Sequence, residues 1–310
     1  MTTRAMGPMA GLGWLTRALN VGRNRPGAVF GGALLMVVVT VVAAIAAAVV
    51  QFALVAMMGT GMTAMILGTV LTSVIVLVVM AMMMVGFFRL LHKVESGRDA
   101  RALDVFSGFG DFATSLRAIG LLLLLAIVQN LILGAILMTF AGGFVQWYLQ
   151  LMQASMAGGV ADPALLAQLP AGMGIASLAM LVNGLVFFGV QSISLCQVAL
   201  RGRGVFAALG DGFAGAFKNL LPLLVFVIAC IIAGVLLMIA VVLLALVIGL
   251  LAKVAGAWLA VVLAIPLYIL GMLAMYVVMF SAMYHLWRDV CDGAGAEAGT
   301  DPVAAEAVIV

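Results

Sequence analysis

Charge is scarce in this sequence. Its 310 residues hold 14 Lys/Arg and 11 Asp/Glu, so 8% of side chains are charged, against about 25% in an ordinary globular chain. Hydrophobic residues make up 67%, too much to hide from water in one soluble fold, so a soluble globular domain is excluded. No compact basic segment exists, which argues against nucleic acid as a partner. Cysteine is equally sparse. Cys196, Cys230 and Cys291 lie in or near apolar runs or on one predicted side, and no pair brackets a loop on the other. A disulfide framework is not expected, and without a CxxC or His/Cys cluster neither is a zinc site. The two histidines, His92 and His285, are far apart in sequence. No Asp, Glu, Lys or Arg falls deep inside an apolar run. Ion-coupled carriers and intramembrane hydrolases usually place an acid, a base or metal ligands there. The expectation is therefore a protein with no enzymatic activity and no cofactor.

What the sequence does have is length without charge. Six apolar runs, at about 27–58, 62–88, 118–142, 173–200, 220–250 and 257–287, each exceed the roughly 20 residues that cross a bilayer as a helix. A helix satisfies its own backbone hydrogen bonds inside hydrocarbon, so each run reads as a spanning helix. The first, behind Arg4, Arg17, Arg23 and Arg25, is too long for a cleaved signal segment and reads as a retained span. The fold class is thus all-α and polytopic. A basic segment, 1–26, precedes a six-helix domain, 27–288, and a Gly/Ala-rich tail, 289–310, is expected to be disordered.

Basic residues stay on the cytoplasmic side. One threading puts thirteen of the fourteen there: the four above, then Arg89, Lys93, Arg98, Arg101 and Arg117, then Arg201, Arg203 and Lys218, then Arg288. Only Lys253 falls outside. Both termini are expected in the cytoplasm. Trp14 and Trp287 would mark the inner boundary, with Trp147 and Trp258 at the outer one.

The inner connections carry helical periodicity. Ala102, Val105, Phe106, Phe109, Phe112 and Leu116 form one apolar stripe; Phe206, Leu209, Phe213 and Phe217 form another. The spacing predicts amphipathic helices over 101–117 and 204–218, lying in the interface with their apolar side in the acyl boundary. Residues around Trp14, Leu15, Ala18 and Leu19 suggest a third. On the outer side, 143–172 reads as two short helices, the second at 163–169 behind Asp162-Pro163. The two main elbows resemble each other: Gly97-Arg98 matches Gly202-Arg203, and Phe109-Gly110-Asp111 matches Leu209-Gly210-Asp211. The reading is an internal repeat of an elbow followed by two spans, three units in all.

Two sets of candidate functional residues follow. Arg98, Arg101, Arg117, Arg201, Arg203 and Lys218 are candidate contacts for anionic lipid headgroups or a membrane-protein partner, although such charges are commonly only a solvated face. Gln129, Asn130, Asn183 and Gln191 are a candidate polar path through the bundle, or simply interhelical hydrogen-bonding glue. Met80 and Met84, and Met62 and Met65, are spaced to pair on a helix as soft ligands for Cu(I), but methionine also fills apolar gaps and no outer capture segment accompanies them. Pro266 is expected to kink the sixth span. Ala229-xxx-Ala233 and Cys230-xxx-Gly234 allow close helix approach, within the chain or between copies.

At the elbows, Gly97-Arg98, Asp104-Val105-Phe106-Ser107-Gly108-Phe109 and Lys218-Asn219-Leu220-Leu221-Pro222 resemble a loose group of six-span bacterial inner-membrane proteins, the YciC-like proteins. The group includes the membrane domain fused to some glycerophosphodiester phosphodiesterases. The resemblance runs from about Trp14 to Trp287 and implies six spans, interfacial elbows and a bacterial inner membrane. No catalytic residue carries over from it. Two functions remain open at this point: a non-enzymatic protein that organises lipid or assists a membrane assembly, and a permease or channel for a neutral or amphipathic solute.

Overall fold

The computed structural model describes residues 3–23, 25–59, 61–156 and 170–292. The described residues are helical without a strand. A short helix α1 (Ala10–Leu19) leads into a hairpin of α2 (Pro26–Met58) and α3 (Met62–Glu95). A 3-10 turn, Ala102–Gly108, precedes the second hairpin, α4 (Phe112–Phe140) and α6 (Met173–Arg201), with the short α5 (Phe144–Met156) at its far end. A third short helix, α7 (Val205–Lys218), leads into α8 (Leu220–Ala255) and α9 (Ala257–Trp287). Six of these helices are long and apolar enough to cross a membrane. The chain is an all-α, multi-pass membrane protein.

Local chemistry sets the boundaries. Pro26 opens α2 at its first position, where a missing N–H costs nothing. Asp111 caps α4 by accepting from the Thr114 N–H at 3.1 Å. Gly97 and Gly202, matched in the sequence repeat, both take left-handed φ, +67° and +60°. They turn the chain just beyond α3 and α6, the second helix of each of the first two hairpins.

Several elements depart from the sequence reading. The stripe over 101–117 is not one helix. It divides into the 3-10 turn and the first turns of α4, because Gly108 and Gly110 interrupt it and Asp111 restarts the helix. Val105 points inward and is buried, while Phe109 and Phe112 stay exposed. The second elbow, α7, is a single helix as expected. It packs on its small residues, Ala208, Gly212, Gly215 and Ala216, and leaves Phe206 and Phe217 outward. The third elbow, α1, forms over Ala10–Leu19 and buries Trp14, Leu15 and Ala18 against the bundle, leaving Leu12 and Leu19 exposed. Trp287 is buried as well, against His92 and Tyr284. Residues 289–292, assigned above to a disordered tail, form a π turn with Arg288, and Val290 and Cys291 are buried. The short helix expected at 163–169 and the tail beyond Asp292 lie outside the described residues.

Packing is concentrated at one end of the bundle. Hydrocarbon provides no hydrophobic drive between helices, so close approach rests on small residues and hydrogen bonds. A Cβ on Gly86 would strike the Val105 carbonyl, and one on Gly108 the Met82 carbonyl. Gly212 sits equally close to Ser194 and Val190, and Gly11 to the Pro222 carbonyl. The 3-10 turn, α1 and α7 are thus each packed against a long helix through a glycine. All these contacts lie at the end that carries the charges. Towards the other end the helices remain paired within each hairpin, but burial fades. Beyond Phe226 no described residue of α8 is buried, and the first in α9 is Leu273.

Candidate functional site

A cavity of about 430 Å³ lies between α3, α4, α6 and α9, where the tightly packed end gives way to the open one. Most of its wall is apolar. Met80 and Met84 of α3 face Met279 and Met283 of α9, with Leu125 of α4 and Phe188 of α6 between them. Two amides break this surface, Gln129 of α4 and Gln191 of α6. Both are half-buried, and neither has a hydrogen-bond partner among the described residues. Ser73 also reaches the wall, but its hydroxyl donates to the Thr69 carbonyl at 2.8 Å.

The floor is aromatic and closed. Phe280 is held edge-on between Phe87 and Phe88, with ring centroids 5.5 and 5.7 Å apart. Below it, Tyr284 meets His92 through a 3.0 Å hydroxyl–imidazole hydrogen bond. All these side chains except His92 are fully buried. On the opposite side, Val74, Leu131, Val182 and Met275 are each about half exposed (44, 68, 56 and 61%). The cavity is therefore closed towards the charged end, and the helices beyond it bury little of their surface. A smaller space of about 90 Å³ adjoins it through Met80, against Met36, Thr40 and Tyr276.

The four residues of the predicted polar path are divided. Gln129 and Gln191 share the cavity, whereas Asn130 is exposed and bonds its own helix at the Ala126 carbonyl, 2.8 Å. Asn183 lies two turns above Gln191 on α6 and is not part of the wall. Periodicity explains the split: Asn130 is one residue, about 100° of helix, away from Gln129. Met80 and Met84 join the cavity, but Met62 and Met65 are exposed near the far end of α3. The sequence reading passed over Met279 and Met283, though their spacing of four repeats that of Met80 and Met84.

The six candidate cations also separate. Arg203 is bound to Asp211 at 2.8 Å, and Arg201 pairs with Asp292 and lies over the Trp287 ring. Lys218 donates to the Thr3 carbonyl at 2.9 Å, and Arg117 to the Gly202 carbonyl at 2.6 Å. The elbow acids are occupied too, Asp111 by Arg89 at 2.6 Å and Asp104 by Lys93 at 3.0 Å. These charges form a connected seam across the charged end, not a free solvated face. Arg98 and Arg101 alone among the six remain largely available. Arg101 lies 3.8 Å from Asp99 with its side chain 81% exposed, and the Arg98 guanidinium has no acid or carbonyl partner among the described residues. The Arg89 guanidinium holds the Asp111 carboxyl down to about 2, which keeps this part of the seam charged across the physiological range. Comparison of the chain with protein-family models, with curated proteins and with solved structures gives no match.

Proposed function

We propose that this is a non-enzymatic integral membrane protein that takes a neutral amphipathic molecule from the bilayer into the cavity beside Gln129 and Gln191, and so organises lipid or serves a membrane assembly. One observation carries the reading: two partnerless amides stand in an otherwise apolar, half-open wall. Full burial of an amide without a partner costs about 1–3 kcal/mol, and these half-buried amides bear part of that cost. A ligand with a hydroxyl, ester or amide head and an apolar body recovers that cost. A charged ligand would not, since none of the described residues lining the cavity is ionisable. The basic seam, together with the resemblance to YciC-like proteins, favours a bacterial inner membrane with cytoplasmic termini.

Native mass spectrometry of the purified protein tests the reading. Neutral lipid should be retained by the parent and lost from the Gln129→Leu/Gln191→Leu double variant. Equal retention by both would refute it. Cysteines introduced near residues 59 and 256 should label from outside the cell, as the topology requires. A permease reading draws on the same amides and the internal repeat. It needs the Phe87–Phe88–Phe280 floor to open, and solute flux through proteoliposomes distinguishes it from a storage or organising role.

A further inference from the structure

We infer that Arg23, Arg25, Arg98 and Arg101 form a binding site for the phosphate headgroup of an anionic phospholipid, separate from the cavity and going beyond its role. The turn before α2 and the segment before the 3-10 turn meet where Arg25 contacts Asp99 at 2.6 Å. Asp99 also attracts Arg101, at 3.8 Å. Arg98 adjoins Asp99 in the chain, and Arg23 lies two residues before Arg25. Two of the four arginines thus contact one aspartate, whose own side chain is 69% exposed, and the other two flank that contact in the chain. Elsewhere at this end the cations are committed. Arg4 and Arg17 bind Asp289, Arg89 binds Asp111, Lys93 binds Asp104, and Arg288 binds Glu95. Arg117, Arg201, Arg203 and Lys218 have the partners given above.

The uncompensated charge also sits beside apolar side chains that reach outward. Leu19, at the end of α1, and Leu103, in the 3-10 turn, are 62% and 68% exposed and border in sequence the two segments that the Arg25–Asp99 contact joins. A phosphate over the guanidinium groups would leave its acyl chains against such residues, an arrangement that a free phosphate ion cannot use. Guanidinium forks suit phosphate oxygens, and the membrane surface holds them at high local density. An anionic headgroup is therefore the occupant whose charge and shape both complement the patch.

The test measures lipid binding to the full-length protein in nanodiscs of phosphatidylcholine with increasing phosphatidylglycerol. Each Arg→Gln change at 23, 25, 98 or 101 should weaken phosphatidylglycerol binding about fivefold at low salt, an effect that shrinks as ionic strength rises. Asp99→Asn should strengthen it, a gain that misfolding cannot mimic. Arg117→Gln should leave it unchanged. The Gln129→Leu/Gln191→Leu variant should also keep it, which separates this site from the cavity. Undiminished binding in the four single arginine variants, or an unaltered affinity in Asp99→Asn, would overturn the assignment. So would saturation of the site by inorganic phosphate alone.

Discussion

The Arg17 guanidinium, one turn from the end of α1, lies 3.0 Å from a carboxylate oxygen of Asp289, just past the end of α9. The other oxygen accepts from the Trp14 indole N–H, also at 3.0 Å. The two ends of the described chain are thereby clasped to each other at the charged end, and α1 is held against the third hairpin. Asp289 is only 15% exposed, so its charge depends on these donors.

Asp289→Ala should cost about 2 kcal/mol, the worth of a hydrogen-bonded charged group. Detergent-solubilised protein should melt at a lower temperature. Protease should also cut earlier within the first twenty residues. An unchanged melting curve would show that the clasp adds nothing to the fold.

Glycine substitutions should separate by site. Gly86→Ala forces a methyl into the Val105 carbonyl and should destabilise by about 1–3 kcal/mol. At Gly134 a Cβ meets nothing within 4 Å, so Gly134→Ala should be neutral or raise stability by up to about 1 kcal/mol. Thermal unfolding of the two variants side by side measures the contrast, and equal shifts would contradict the seating of the 3-10 turn on α3.

The Arg89–Asp111 pair fixes a pH dependence. Its carboxyl is lowered in the fold to about 2 from an ordinary value of 3.8. A lowered value stabilises the fold wherever the unfolded carboxyl is already ionised. That contribution is complete above about pH 4 and disappears as pH falls through the folded value. Asp111→Asn should therefore lower the melting temperature near neutral pH, and the gap to the parent should narrow below about pH 4. The gap should be modest, because the Asp111 side chain is 39% exposed and solvent screens it. A gap that widens on acidification would contradict the pairing.

Removing the cavity amides should trade function for stability. Gln129→Leu and Gln191→Leu each delete a partnerless polar group from an apolar wall and should raise the melting temperature by the equivalent of about 1 kcal/mol. The added stabilisation that neutral lipid confers on the parent should vanish in both. Lower stability in lipid-free detergent would mean that the amides already have partners within the protein.

Much of the fold was legible because membrane insertion leaves few choices. Six uncharged runs have to be helices, and Gly97 and Gly202 announce their turns through the repeat. The first elbow was misread because its apolar spacing fits a helix, while Gly108 is needed for contact with Met82 on α3, a partner over twenty residues away. The basic residues were found by composition, but a sequence does not show which acid each one meets. Arg203 and Arg98 look alike in the chain; only the first has a carboxylate within reach. Gln129 and Asn130 are adjacent, and the helical rotation between them puts one in the cavity and the other outside it.

The sequence by itself determined that the chain spans a membrane six times as helices and gathers its charge between alternate spans, since backbone hydrogen bonding and the cost of burying charge in hydrocarbon act locally on each segment. Only the tertiary structure decided that the hairpins close at one end and part at the other. It alone brought Gln129 and Gln191 onto one wall and set Arg25 and Arg101 on one aspartate. Those outcomes depend on which helix faces meet, and glycine-to-carbonyl contacts between distant segments settle that.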